Sequence, residues 1–348
     1  MAGRRHHTIP QFMLRPFATE IRGSEAMVWL YRHSKDAIEV NTKNVSVERD
    51  FYGKELDDRI TAVEAEFASL ADELRRQSGP VENTRVPDFV AHMTLRTRSL
   101  RQCASDLAAT MADSFGQHLS QPAVLRAAVR QRYTKRELLD RLREELVKMG
   151  FSRVEIERRI LAAGPEVLKA LQQKLDESAE VMAAVAGDAI RKAAKQLPSS
   201  MRTNMNETFL SALDDNPRIE AYRRFKWTVI PCERVLVLGD SVCVFETFGT
   251  PKFRRLDDED HQAKRILMPL SPDRLLVGNT DAEQEPLTER QLNEVSVRCS
   301  LEFFVSARRL EPTDAHLAQT LGTWAKLLTE EEQREILSDF KQDYPTKP

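Results

Sequence analysis

The sequence predicts an α+β fold, predominantly α, in which a central helical bundle is clasped by short N-terminal and C-terminal β elements packed together. Three observations lead there. Apolar residues recur at helical spacing through residues 55–215. Short apolar runs bounded by turn residues flank that region, in 1–54 and 216–310. Neither group of strands has enough partners to be stable alone, so the two must meet. A polar cleft is expected where they join the first two helices.

In the N-terminal β/turn segment, residues 1–54, Val28-Trp29-Leu30-Tyr31 reads as a short buried strand. Gly23-Ser24 supplies the turn before it. The helical region, 55–215, opens with Ile60, Val63, Phe67, Leu70 and Leu74, which fall on one helix stripe. Gly79-Pro80 is expected to stop that helix. A second helix is expected from about Pro87 to His118, with a stripe of Phe89, Met93, Arg96, Leu100, Cys103, Leu107 and Met111. One member of that stripe is an arginine. A third helix runs from Thr134, with Glu137 at capping-box spacing, to Met149, and Gly150 closes it. Pro165 suits a helix first turn. From there Leu168, Leu171, Leu175, Ser178, Met182, Val185 and Ala189 keep heptad spacing until Pro198, the pattern of a coiled-coil-like hairpin.

Residues 216–310 complete the same domain. Val235–Leu238 and Val242–Phe245 flank Gly239-Asp240-Ser241, a β-hairpin signature. Ile266 to Val277 holds a strand or two around Pro269 and Pro272. Thr288 with Gln291 caps a helix expected to reach about Phe304. A polar helical tail, 311–348, follows, with a frayed end from Tyr344.

Composition narrows the function classes. The 348 residues are 41% hydrophobic and include only 12 Gly and 16 Pro, which excludes collagen-like and disordered chains. Lys+Arg is 52 against 54 Asp+Glu, a balance that argues against a DNA-coating protein. Only the insert 121–200 is locally basic, with 16 Lys/Arg against 11 Asp/Glu. Cys103, Cys232, Cys243 and Cys299 form no CxxC pair, so neither a structural zinc nor a disulfide framework is expected. No signal peptide and no membrane span is legible, and a cytoplasmic location without membrane contact is the expectation. The standard dinucleotide, P-loop, zincin and nucleophile-elbow motifs are missing, so no cofactor and no metal is assigned.

The opening His6-His7-Thr8-Ile9-Pro10-Gln11-Phe12-Met13-Leu14-Arg15-Pro16-Phe17 is distinctive. In order along the chain come Val28 to Tyr31, Asp50-Phe51-Tyr52, Glu64, Arg96-Thr97, Trp227, Gly239-Asp240 and Pro269 to Pro272. With this series the chain resembles a bacterial family catalogued as domain of unknown function 4238, from His7 to about Ser306. Arg98 stands where that family commonly has proline, and Ser241-Val242 where it commonly has Asn-Pro. The resemblance implies an architecture and a set of polar positions, and no reaction.

Those polar positions carry the candidate chemistry. His7 is a candidate acid/base, because histidine titrates near neutrality. Gln11, four residues on, would support it; both side chains also suit a purely structural role on buried backbone. Arg96 sits at a core position, so its permanent charge must meet a carboxylate, a bound anion or water. Glu64 and Asp240 are the expected partners and candidate catalytic carboxylates, although Asp240 also suits a hairpin turn. The acidic run Asp257-Asp258-Glu259-Asp260 beside His261 reads as a solvated loop or a hard-cation site.

The expected function is a hydrolase or transferase acting on an anionic substrate, phosphodiester or nucleotide-like. His7 would be acid/base, Arg96 the anion-binding group, and Glu64 or Asp240 the orienting carboxylate. The alternative is a non-catalytic module whose helices 134–196 grip nucleic acid or a protein partner.

Overall fold

Strand pairing organises the molecule. The computed structural model spans residues 1–348 and describes 5–49, 53–132, 135–258, 262–280, 285–314 and 316–343. Thr134, Asp50-Phe51-Tyr52, Glu259-Asp260-His261 and the stretch from Tyr344, all singled out above, lie outside the described residues.

The N-terminal elements are β1 (Arg5–His7), α1 (Gln11–Leu14), β2 (Glu20–Arg22), β3 (Glu25–Tyr31), β4 (Ile38–Asn41) and β5 (Val47–Arg49). Then come α2 (Lys54–Arg76), β6 (Gly79–Val81), α3 (Val86–Arg96), α4 (Arg98–Leu119), α5 (Pro122–Arg132), α6 (Lys135–Lys148) and α7 (Arg153–Asp214). The remainder is α8 (Pro217–Arg223), β7 (Lys226–Pro231), β8 (Val237–Gly239), β9 (Val244–Thr247), β10 (Phe253–Arg254), β11 (Ala263–Ser271), β12 (Arg274–Asn279), α9 (Glu289–Cys299), β13 (Phe304–Ser306), α10 (Leu317–Thr320) and α11 (Glu330–Asp343).

Two compact units result: residues 1–105 with 199–327, and residues 106–198 with 328–348. Among the described residues, the first carries three antiparallel sheets. A six-stranded sheet has the order β10-β9-β11-β12-β7-β6. A five-stranded sheet has the order β2-β3-β13-β8 with β4 also on β3, and β1 pairs with β5. The expected joining of the chain's two ends is seen directly: Tyr31 of β3 stands opposite Phe304 of β13, their rings stacked 4.8 Å apart. The fold is α+β with helix predominant. A central helical bundle, however, is not what the core displays. The largest buried cluster sets Phe67 and Leu74 of α2 and Phe89 and Met93 of α3 against Phe245, Ile266 and Trp227 of the six-stranded sheet. Each such side chain contributes about 1.5–3 kcal/mol on burial.

Several boundaries differ from expectation. The helix expected over 87–118 is broken at Thr97, which is extended (φ −69°, ψ 134°). Gly79-Pro80 does not merely stop α2; it forms edge strand β6 on β7, where proline's missing N–H costs nothing. Phe304 begins a strand, because α9 ends at Cys299 after its Thr288–Gln291 capping box. Pro165 and Pro198 lie inside α7. A proline removes one helical hydrogen bond, and long helical stretches on either side outweigh that loss.

Gly239-Asp240-Ser241 is not a hairpin turn. β8 belongs to the five-stranded sheet and β9 to the six-stranded one, so the segment between them crosses from sheet to sheet. Buried Val242 takes φ +60°, a conformation costly for a β-branched residue, of order 1–3 kcal/mol. Bonds from Val242 N to Gly239 O (3.1 Å) and from Cys243 N to Ser241 O (2.7 Å) hold it.

In the second unit, Phe115 of α4 packs on Phe340 of α11 at 4.2 Å, and Arg143 of α6 pairs with Glu157 of α7 at 3.1 Å. The inward line of α7 is Ala179 and Ala183. Of the expected heptad line, Ser178, Met182, Val185 and Ala189 are exposed instead, and the side chains of Leu168, Leu171 and Leu175 lie outside the described residues.

Candidate functional site

Strand alternation sorts the first three described residues. Arg5, His6 and His7 pair with Arg49, Glu48 and Val47. Side chains on one strand alternate between faces, so Arg5, Arg49 and His7 share one face and His6 and Glu48 the other. His6 is the more buried of the two histidines, at 4% exposure, with Nε2 3.9 Å from Asp57. Glu48 on the same face accepts from Arg101 at 2.7 Å, and Arg98 bridges Glu48 and Glu302 at 3.4 Å each.

His7 is half-buried. Its Nδ1 lies 3.3 Å from the Val45 carbonyl oxygen and 3.2 Å from Gln11 Nε2. Gln11 is itself fixed on both ends of its amide: Nε2 donates to Thr42 O at 3.0 Å, and Oε1 accepts from Thr42 Oγ1 at 2.8 Å. The carbonyl favours the Nδ1–H tautomer and leaves Nε2 as the basic nitrogen; the amide favours the other tautomer. Burial, and then the nearby charges of Arg5 and Arg96, push the His7 pKa below 6.5, with the Val45 bond opposing.

Arg96, the last residue of α3, is 4% exposed, as its place in the apolar stripe requires. It donates to the His7 carbonyl oxygen at 2.6 Å and pairs with Glu64 of α2. One turn earlier on α3, His92 Nε2 lies 3.8 Å from Glu64, with the rings of Phe67 and Phe209 at 5.2 and 5.4 Å. Burial pushes its pKa down to about 4. His7, Gln11, Glu64 and Arg96 are thus brought together.

Asp240 is engaged elsewhere. Its carboxylate accepts from three successive main-chain groups, Leu301 N (2.9 Å), Glu302 N (2.6 Å) and Phe303 N (3.2 Å). Its own carbonyl accepts from Ser99 Oγ at 3.0 Å, three residues past Arg96. Arg255, also buried, donates to the same Ser99 Oγ at 2.6 Å and to Cys103 Sγ at 3.2 Å.

Sequence reasoning missed two further features. His92 is central to the Glu64–Arg96 pair, and its position four residues before Arg96 was the available signal. Glu246 of β9 is fully buried and meets Arg265, Lys264 (3.2 Å) and Lys252 (3.4 Å). An acid flanked by Phe245 and Thr247 in an apolar strand marks such a pair. A register shift between Ala263 and Arg265 brings two successive cations to one carboxylate. In the acidic run, Asp257 is buried against Arg218 (2.6 Å) and Tyr222 (2.8 Å), so it is not a solvated loop residue.

Among the described residues, no group of three or more His, Cys, Asp or Glu is placed to hold a metal ion, and no helix is long and apolar enough to cross a membrane. A cavity of about 240 Å³ lies along α2, lined by Glu66, Phe67, Glu73, Asn83 and Arg85, and contains none of the predicted site residues. Burial raises the thiol pKa of Cys232 to about 11 and of Cys243 and Cys299 to about 12, so none of these three is an activated nucleophile.

Nothing among the curated proteins or the solved structures matches the chain. A family model matches from residue 5 to residue 324, nearly the whole chain: the chain belongs to the family described as Protein of unknown function (DUF4238).

Proposed function

We propose that the chain is a hydrolase or transferase acting on an anionic, phosphodiester or nucleotide-like substrate at the β1–β5 ribbon. The observation that carries this reading is the shared face of Arg5, Arg49 and His7. Arg5, which donates to Lys43 O (2.6 Å) and Asn44 Oδ1 (2.8 Å), and Arg49 opposite it put two positive charges on this face, and an anion beside them relieves their repulsion. Beside them stands an imidazole kept neutral by burial and by the charges of Arg5 and Arg96, the protonation state a general base needs.

His7 is the acid/base. With Nδ1–H donated to Val45 O, Nε2 accepts the proton of an attacking water or hydroxyl while the nucleophile's oxygen bonds to the substrate phosphorus. The proton then passes to the departing ester oxygen. Arg96 and Glu64 are positioning residues: Arg96 holds the His7 carbonyl and adds its charge from behind, and Glu64 balances it. Gln11, held at both ends of its amide by Thr42, stands beside the ring. Asp240 fixes the sheet crossing.

The basic insert gives less support to the nucleic-acid alternative. Its cations are partly committed to acids, as in Arg126–Glu180, Arg143–Asp140 and Lys148–Glu145, and Arg159 lies over the Phe151 ring at 4.1 Å.

The test is turnover of nitrophenyl phosphate mono- and diesters and of nucleotides by the full chain. His7→Gln should lower kcat by about 10²–10⁴-fold with the fold intact. Arg5→Glu with Arg49→Glu should raise KM and, with the Arg5 charge that helps keep His7 neutral reversed, move the acid limb of kcat to higher pH. Anion binding without turnover of any of these esters would instead make the ribbon a binding site only.

A further inference from the structure

The exposed line of α7 has a geometry of its own. Val181, Met182 and Val185 are 66%, 51% and 62% exposed, and Ser178 and Ala189 beside them are exposed as well. Ala179 and Ala183, the neighbouring line, are buried. Apolar residues at a and d heptad positions on a solvent face call for a second heptad-bearing helix. Taking Met182 as a and Val185 as d, Ser178 is a d position and Lys174, Val181 and Asp188 are g positions. The same a/d pattern continues in the sequence through Leu175 and Leu171.

We propose that this face pairs with the same face of a second copy, antiparallel about a twofold axis near Val181. Antiparallel seams set a against d, and here Met182 of one chain meets Ser178 of the other. The flanking g positions then face g positions. Val181 meets Val181, and Lys174 meets Asp188 twice, once on each side of the axis. All of these residues are exposed. A parallel, in-register pairing sets each of these g positions against alanine (Ala179, Ala186 and Ala193) and forms no ion pair. The charges therefore select both the partner, a copy of this chain, and its direction.

Sedimentation equilibrium on the full chain tests this. The wild type is expected to dimerise, and Lys174→Glu or Asp188→Lys alone to weaken the dimer by about tenfold, since each replaces two attractive exposed pairs by two repulsive ones. The double variant Lys174→Glu/Asp188→Lys should restore wild-type affinity. A wild type that stays monomeric at about 100 μM, a weak limit for a specific dimer, overturns the proposal. So does a dimer indifferent to either reversal, or one that the double variant fails to restore.

Discussion

The Arg96 guanidinium donates to the main-chain oxygen of His7 at 2.6 Å, a bond spanning 89 residues. It ties the first strand to the end of α3, and Glu64 on α2 neutralises the charge it brings inside. The guanidinium is permanently charged and nearly sealed from water. Its two partners together make that burial tolerable and hold the backbone on which the His7 imidazole is carried.

Breaking this arrangement from either side should be expensive. Arg96→Met or Glu64→Gln alone should each lower stability by about 3–5 kcal/mol, because one charged partner stays behind unmatched. Arg96→Met with Glu64→Leu should recover much of the loss. Urea unfolding of the three variants checks both halves of this expectation.

His92 makes acid stability predictable in sign. Its folded pKa is about 4 against 6.5. The unfolded chain therefore takes up this proton first as pH falls. Stability contributed by the neutral buried ring is present above pH 6.5 and is lost between 6.5 and about 4. The span corresponds to about 3 kcal/mol. Glu64, already paired with Arg96, offers the imidazolium little compensation. In His92→Phe the slope of stability against pH across that window should flatten.

Asp240 supports the crossing between the two large sheets through three main-chain N–H groups. Asp240→Ala leaves these donors without their acceptor and should cost about 1–3 kcal/mol for each that stays buried. Asp240→Asn should cost less, since one oxygen remains. Thermal unfolding of the two variants separates them.

Two glycines are required by close approach. A Cβ at Gly278 would stand 2.7 Å from the Trp227 ring, and one at Gly239 would stand 2.9 Å from the Ser296 carbonyl oxygen. Gly278→Ala should cost about 1–3 kcal/mol and shift tryptophan fluorescence, as the ring is displaced. Gly239→Ala should cost more, because backbone yields less readily than a side chain.

What the sequence made legible was local. The Val28–Tyr31 strand, the Thr288–Gln291 cap and the inward turn of Arg96 follow from periodicity and spacing, and all three stand in the structure. What stayed hidden depends on distant partners. β13 is three residues long and is a strand only because β3 and β8 flank it. Gly239-Asp240 looked like a hairpin because two apolar runs flank a turn; that β8 and β9 join different sheets is fixed by strands far along the chain. His6 and His7 are indistinguishable as letters, and only the register against Glu48 and Val47 assigns their faces.

Histidine NMR titration reads directly whether an anion binds beside a neutral His7. The His7 pKa should lie below 6.5 in the free protein. Saturating inorganic phosphate should raise it, leave His92 unmoved, and lose its effect in Arg5→Glu/Arg49→Glu. A His7 titration identical with and without phosphate would contradict the account.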